Sequence, residues 1–230
     1  MVTAVAFGRL DAPLGRDRLS PALLAQAGGM GAARAETFLA GRALLAELMF
    51  KVFNRATLPE MTLLAGGKPV FTDAVQPFFN LSHSADRLLV AVSDRGPVGC
   101  DIEIDRQRRS LLSIARQYFS AKENDWLNAQ CSLQTAFWQL WCQREALVKQ
   151  TGEGVLMMNA VALNPDAKTF LSQSTALRLC HTATEGCLAA LALPDANDAI
   201  QHWGVNAQNN RLEMLPALDW QRFYPASESA

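Results

Sequence analysis

At 230 residues the chain is long for one ordinary domain and short for two, so one body or two small halves sharing a core both fit. Half of its residues are hydrophobic, enough for a sizeable core. Its 21 basic and 22 acidic side chains nearly cancel, which excludes a general attraction to nucleic acid or to an anionic membrane and leaves only local charge clusters.

The opening segment MVTAVAFGRLDAPLG has no basic start and no long apolar run, so no secretory signal is expected. No stretch approaches the roughly 18 unbroken apolar residues that suggest a membrane span. The cysteines at 100, 131, 142, 180 and 187 form no CxxC pair, and the three histidines do not sit at ligand spacing to any of them. That pattern predicts reduced thiols in a cytoplasmic protein and no zinc site.

Val2–Phe7 reads as a first strand. Pro13, Gly15 and Gly28-Gly29 then mark an irregular region with a short helix near Pro21–Gln26. Ala35–Phe53 predicts a helix, with Phe38, Leu45, Leu48, Met49 and Val52 forming one apolar stripe. Gly41 interrupts it at a cost of up to about 1 kcal/mol against alanine, which points to close packing or a ligand there. Gly66-Gly67-Lys68-Pro69 is a turn. Phe78–Leu81, Arg87–Ser93 and Val98–Ile104 predict an antiparallel meander. Ser120-Ala-Lys-Glu123 fits a capping box opening a helix to about Ala129. Leu133–Gln150 is the strongest predicted helix, with Gly152 as its stop. Ala176–Thr182, Cys187–Leu193 and His202–Val205 predict further strands, and the final PASESA a frayed end. Strands and helices in this order favour an α+β fold over a parallel βαβ sheet.

Three places carry chemistry. Asp101 and Glu103 alternate with Cys100, Ile102 and Ile104, so both carboxylates share one face of a strand. Such a pair is either a hard-cation site or the wet half of an amphipathic strand. Glu145 and Lys149 lie one turn apart on the strong helix. They could complete a metal and phosphate site, or form an ordinary exposed ion pair worth a few tenths of a kcal/mol. Ser82, His83 and Ser84, and Lys68 in its turn, could meet a phosphate, or serve as turn and loop residues.

The order of these motifs is more specific than any one of them. A lysine-proline turn, then NLSHS, then VGCDIEI, then WCQREALVK resembles the 4′-phosphopantetheinyl transferase superfamily. The match runs from about residue 38 to 154. It is similar to the monomeric branch built of two fused halves. Ala40–Leu45 and Phe79–Ser84 bring it nearest the enterobacterial holo-(acyl carrier protein) synthases.

The resemblance implies two similar α/β subdomains in a pseudo-twofold arrangement, each with a small antiparallel sheet and a long packed helix. Residues 1–105 would hold the nucleotide-binding loops and the first metal strand, and 106–230 the catalytic helix and the last strands. Asp101, Glu103 and Glu145 would hold Mg²⁺, with Glu145 as metal ligand or general base. Lys149 would bind the coenzyme A diphosphate and assist catalysis. Arg42, Lys68, Ser82 and His83 would contact coenzyme A, Lys68 and Arg42 in its nucleotide pocket. Glu123 matches an acid of an F-x-x-x-E string that a capping role already explains. Arg144 stands where the family usually has lysine. A guanidinium cannot replace a lysine that moves a proton, although it can replace one that pairs with an anion.

The implied reaction moves 4′-phosphopantetheine from coenzyme A, a co-substrate, to a serine of an apo acyl or peptidyl carrier protein. The implied protein is a monomer with no nucleic-acid or membrane partner. The exposed-looking run Arg106, Arg108, Arg109, Arg116 and Lys122 either docks the acidic carrier or is a solvated connection. A non-catalytic coenzyme A- or carrier-binding protein of the same fold is the alternative. It would be expected to have lost an acid, and none of the three is missing.

Overall fold

Alternation along one strand sets the layers. In Arg87–Ser93 (β5), Leu88, Val90 and Val92 pack into one apolar cluster while Leu89 and Ala91 pack into another. The strand is therefore buried on both faces. In the computed structural model, which describes residues 1–12, 14–172, 174–194 and 199–226, this places one sheet between a helix and a second sheet.

The first sheet has the order β12-β11-β1-β5-β4, from Arg211–Met214 (β12), Ile200–Asn206 (β11), Thr3–Arg9 (β1), β5 and Phe78–Ser84 (β4). β1 and β11 are parallel and the other neighbours antiparallel. On its outer face lie Pro21–Gly28 (α1) and Ala32–Phe53 (α2), whose Leu44, Leu45, Leu48 and Met49 meet Ala4, Ala6 and Val90. Met61–Leu63 (β2) and Pro69–Phe71 (β3) form the hairpin around the Gly66-Gly67 turn.

The second sheet has the order β6-β10-β9-β13-β8-β7, from Gly99–Ile104 (β6), Cys187–Leu193 (β10), Arg178–Thr184 (β9), Gln221–Ala226 (β13), Thr169–Leu171 (β8) and Leu163–Asn164 (β7). β13 and β8 are its parallel pair. Between the halves of the sequence come Leu111–Tyr118 (α3), Ala121–Asn128 (α4) and Leu133–Thr151 (α5), followed by a 3-10 turn at Val155–Ala160. α5 lies on the outer face of this sheet, with Phe137, Leu140 and Leu147 against Leu188, Ala190 and Phe223. Val5, Leu89 and Ala91 of the first sheet meet Cys100, Ile102, Ala189 and Leu191 of the second in a dry layer between them. The fold is α+β.

Strand exchange ties the two sheets to the chain order. β6 follows β5 in sequence yet pairs with β10, so Phe78–Ile104 is not a three-stranded meander as its pattern predicts. β4 and β5 form the hairpin, and β6 leaves it. The reason lies in β4, whose Asn80, Ser82 and Ser84 side chains take over the amides that a neighbouring backbone would have served. Cys100 N–H donates to Asn80 Oδ1 at 2.8 Å, while Ile102 and Ile104 N–H donate to Ser82 and Ser84 Oγ at 3.4 Å. Two edge strands thus meet through side chains rather than through a backbone ladder.

Helix ends follow their sequence signals. Ser120 and Glu123 form the expected capping box on α4. Gly152 ends α5 at φ 80, a left-handed conformation that glycine adopts without a Cβ penalty. Pro225 and Ala226 of the expected frayed end belong to β13, and 227–230 lie outside the described residues. All five cysteines are free, four of them buried. Among the described residues no helix is long and apolar enough to cross a membrane.

Candidate active site

β6 and α5 touch directly. A Cβ on Gly99 would collide with the carbonyl oxygen of Ala146 and with the Gln150 amide, so only glycine lets the strand lie on the helix here. That close approach brings the acids of β6 under the inner face of α5.

Asp101 is the centre of the cluster and is buried. Its Oδ1 accepts from Lys149 Nζ at 2.6 Å and from Ser82 Oγ at 2.7 Å. Lys149 Nζ also donates to Ser82 Oγ at 3.1 Å and lies 3.9 Å from Glu145 Oε2. Ser84 Oγ donates to Glu103 Oε2. The two serines therefore hold the β6 backbone and its two carboxylates at once. Desolvation pulls the Lys149 pKa down, but the charge and hydrogen bond of Asp101, with Glu145 behind them, raise it above its ordinary value overall. Burial raises the Glu145 pKa; Lys149 lowers it in part, and Asp101 and Glu103 add to the rise. Glu103 is raised first by burial, against the Ser84 hydrogen bond, with Asp101 adding to the rise.

Two cavities flank the cluster. One, of about 240 Å³, is lined by Gly66, Lys68, Asn80, Glu145, Val148 and Lys149 among others. The other, of about 600 Å³, lies between α2 and β4 and takes in Phe38, Gly41, Arg42, Asn80, Ser82 and His83. Arg42 stacks its guanidinium 3.9 Å from the Phe38 ring centre. Its Nε is buried without a hydrogen-bond partner, and burial lowers its pKa. A poorly solvated cation facing a cavity suits an anionic ligand. Gly41 lines the same cavity, and a Cβ added there would meet only Leu81, at 3.4 Å, so close packing does not demand glycine. His83 stands exposed at the rim, its pKa lowered by partial desolvation and then by Lys149.

Lys68 lines the smaller cavity, but its ammonium donates to the carbonyls of Val98 and Gln150, each at 3.0 Å. Burial lowers its pKa to about 8. It fastens the β2–β3 hairpin to β6 and to the end of α5. Arg144 and Glu123 lie away from the cavities and form a buried ion pair at 2.5 Å, with Arg144 also donating to the carbonyls of Tyr118 and Met158. Arg144 thus meets neither an anion site nor a surface. Asn80 joins the site without having been singled out for it, and Ser84, expected to meet a phosphate, donates to Glu103 instead. Their signal was a period of two, Asn80-Ser82-Ser84, on a strand whose polar face is the buried one.

The donor set suits a hard cation. Asp101 Oδ2 is a buried carboxylate oxygen with no hydrogen-bond partner, and two further carboxylates lie near it with pKa values raised by burial and mutual repulsion. Among the described residues, however, no three His, Cys, Asp or Glu side chains are set to hold a metal ion as they stand. The Lys149 ammonium lies 2.6 Å from Asp101 and 3.9 Å from Glu145.

Known proteins share this region. The family model of the 4′-phosphopantetheinyl transferase superfamily matches residues 97–193, the stretch from before β6 to the end of β10. The chain is 41% identical over 150 residues to the 4′-phosphopantetheinyl transferase AcpT of Salmonella typhimurium, covering 64% of this chain and 73% of that protein. It is 40% identical over 121 residues to AcpT of Escherichia coli K12, covering 52% of this chain and 59% of that one. The 4′-phosphopantetheinyl transferase psf-1 of Bacillus pumilus is 38% identical over 128 residues, which cover 50% and 52%.

Proposed function

Because this chain belongs to the 4′-phosphopantetheinyl transferase superfamily, we propose that it moves phosphopantetheine from coenzyme A to a carrier-protein serine through Asp101, Glu103, Glu145 and Lys149. One observation carries the assignment of residues. Lys149, Asp101, Ser82 and Glu145 converge within hydrogen-bond or ion-pair reach between two cavities, and the strand of Asp101 and the helix of Glu145 and Lys149 lie in the matched region.

In this reading Asp101 and Glu103 hold Mg²⁺, with Glu145 as a third ligand or as the base, and the metal would supply neutralisation of diphosphate charge. Arg42, Ser82 and His83 bind the coenzyme A nucleotide and phosphates in the larger cavity, and Lys68 shapes the wall of the smaller one. Residues 1–105 supply these groups with the first acids, and 106–230 supply α5. The carrier serine oxygen attacks the β-phosphorus of coenzyme A. A new O–P bond forms, the bond to the leaving 3′,5′-ADP breaks, and Lys149 stabilises the departing phosphate oxygen. Where Glu145 is not a metal ligand it takes the serine proton, a task for which a raised carboxyl pKa is suited. Incubation of an apo-carrier with coenzyme A and Mg²⁺, read by intact mass, should show the gain of one phosphopantetheine. No gain across a panel of fatty-acid, polyketide and siderophore carriers would leave a binding protein instead.

Two results are expected here. A base off the metal must be ionised, so in that role of Glu145 kcat/KM falls as pH drops through its pKa, which burial raises. The acid limb of the pH–rate profile therefore lies above the usual carboxylate range. A profile flat through that range counts against Glu145 as the base. The second concerns docking. Arg106, Arg108, Arg109, Arg116 and Lys122 are all exposed. Reversing charge with Arg108→Glu and Arg109→Glu together should raise the carrier KM severalfold, most at low ionic strength where screening is weakest. An unchanged KM at low salt removes the docking surface from this run.

A further inference from the structure

Lys149 is not poised in open space for a phosphate. Its ammonium rests on Asp101 Oδ1 at 2.6 Å, touches Ser82 Oγ at 3.1 Å and lies 3.9 Å from Glu145 Oε2. A cation therefore already sits among the acids, and it is part of the chain. The other half of the Asp101 carboxylate, Oδ2, is buried and without a partner. With the lysine in this place, the described acids are not set to hold a metal ion. A divalent cation on Asp101 would also stand against a like charge at close range.

We infer that Lys149 is a built-in placeholder cation, which neutralises the acids until a metal binds and makes tight divalent-cation binding conditional on coenzyme A. The inference rests on the proposed metal role of Asp101, Glu103 and Glu145. Lys149 lines the smaller cavity as well as the acid cluster, so a bound diphosphate there offers the ammonium a second partner. Its flexible four-carbon stem makes that exchange without a backbone change. As Lys149 turns to the diphosphate, Asp101 loses one cation and gains room for another. Coenzyme A and the metal thereby raise each other's affinity by the same factor, as linkage requires.

The test uses Mn²⁺ as the probe ion, with binding followed by electron paramagnetic resonance on the full chain. Parent and Lys149→Met proteins are titrated with and without coenzyme A. In the parent, Mn²⁺ binds weakly alone and about tenfold or more tightly with coenzyme A. In Lys149→Met, Mn²⁺ alone binds about tenfold more tightly than to the parent, and the effect of coenzyme A shrinks. Equal or weaker Mn²⁺ binding by the variant overturns the placeholder while leaving the metal site. If neither protein binds Mn²⁺ under any condition, the metal reading itself is overturned. Lys149→Gln is titrated in parallel, and melting curves identify any variant that does not fold. Should only one variant fold, that one decides.

Discussion

Asp101→Asn is expected to lower kcat/KM for carrier modification by at least about 10²–10³-fold while leaving a folded protein. Asparagine keeps the shape of the side chain and an oxygen that can still accept from Ser82 and Lys149. What it loses is the negative charge on which both cations of the proposed cycle depend. The structural loss is one charge-assisted contact of a partly exposed lysine, worth about 1 kcal/mol or less, since Glu145 remains 3.9 Å from the same ammonium. A shift in melting temperature of a few degrees at most, about 2–4 °C, goes with it. Time courses of carrier mass and melting curves on the same preparation check both. Activity within tenfold of the parent would remove Asp101 from the centre of the site.

The opposite signature is expected at Arg144. It is 1% exposed and its partner Glu123 is 0% exposed. Arg144→Ala leaves a buried carboxylate without its counter-ion and strips the carbonyls of Tyr118 and Met158 of a donor. Breaking such a pair from one side costs about 3–5 kcal/mol, a large part of the roughly 5–15 kcal/mol that keeps a typical protein folded. The loss should exceed that of any change at the exposed Arg108 or Arg109. Arg144→Lys keeps the charge but not the fork that serves three acceptors, and should fall between parent and alanine. Denaturant midpoints measure this. A stable Arg144→Ala protein that has lost only activity would mean that Arg144 acts on substrate.

These two positions show how far the sequence could be read. Arg144 and Glu123 are 21 residues apart, and local pattern cannot pair residues at that separation. The capping role of Glu123 was legible because its partner Ser120 is three residues away. For the same reason the ends of α5 and the limits of β5 and β10 were legible, as apolar runs bounded by turn residues. The destination of β6 was not, because its own run carries no mark of the strand it will pair with. α3 is short and β12 is a four-residue edge strand, where pattern is weakest, and β13 carries Pro225 within its run, which argues against a strand. At the site, residue types and order placed the acids and Lys149 in two motifs of one family. The grip of Lys149 on Asp101 crosses 48 residues, and that of Lys68 on Gln150 crosses 82, so both belong to the folded chain alone.

The meeting of β4 and β6 has a consequence for solubility. Each is the last strand of its sheet, and bare edges are templates on which other chains add strands. Sheet proteins commonly guard such edges with charge, proline or a bulge. Here each edge is closed by the other, and the serines that close it also hold the acids. Guarding against self-association and aligning the carboxylates are one task for Ser82 and Ser84, with Asn80 serving the edge alone. Selection for a soluble chain would therefore hold these positions even in a descendant that had given up catalysis.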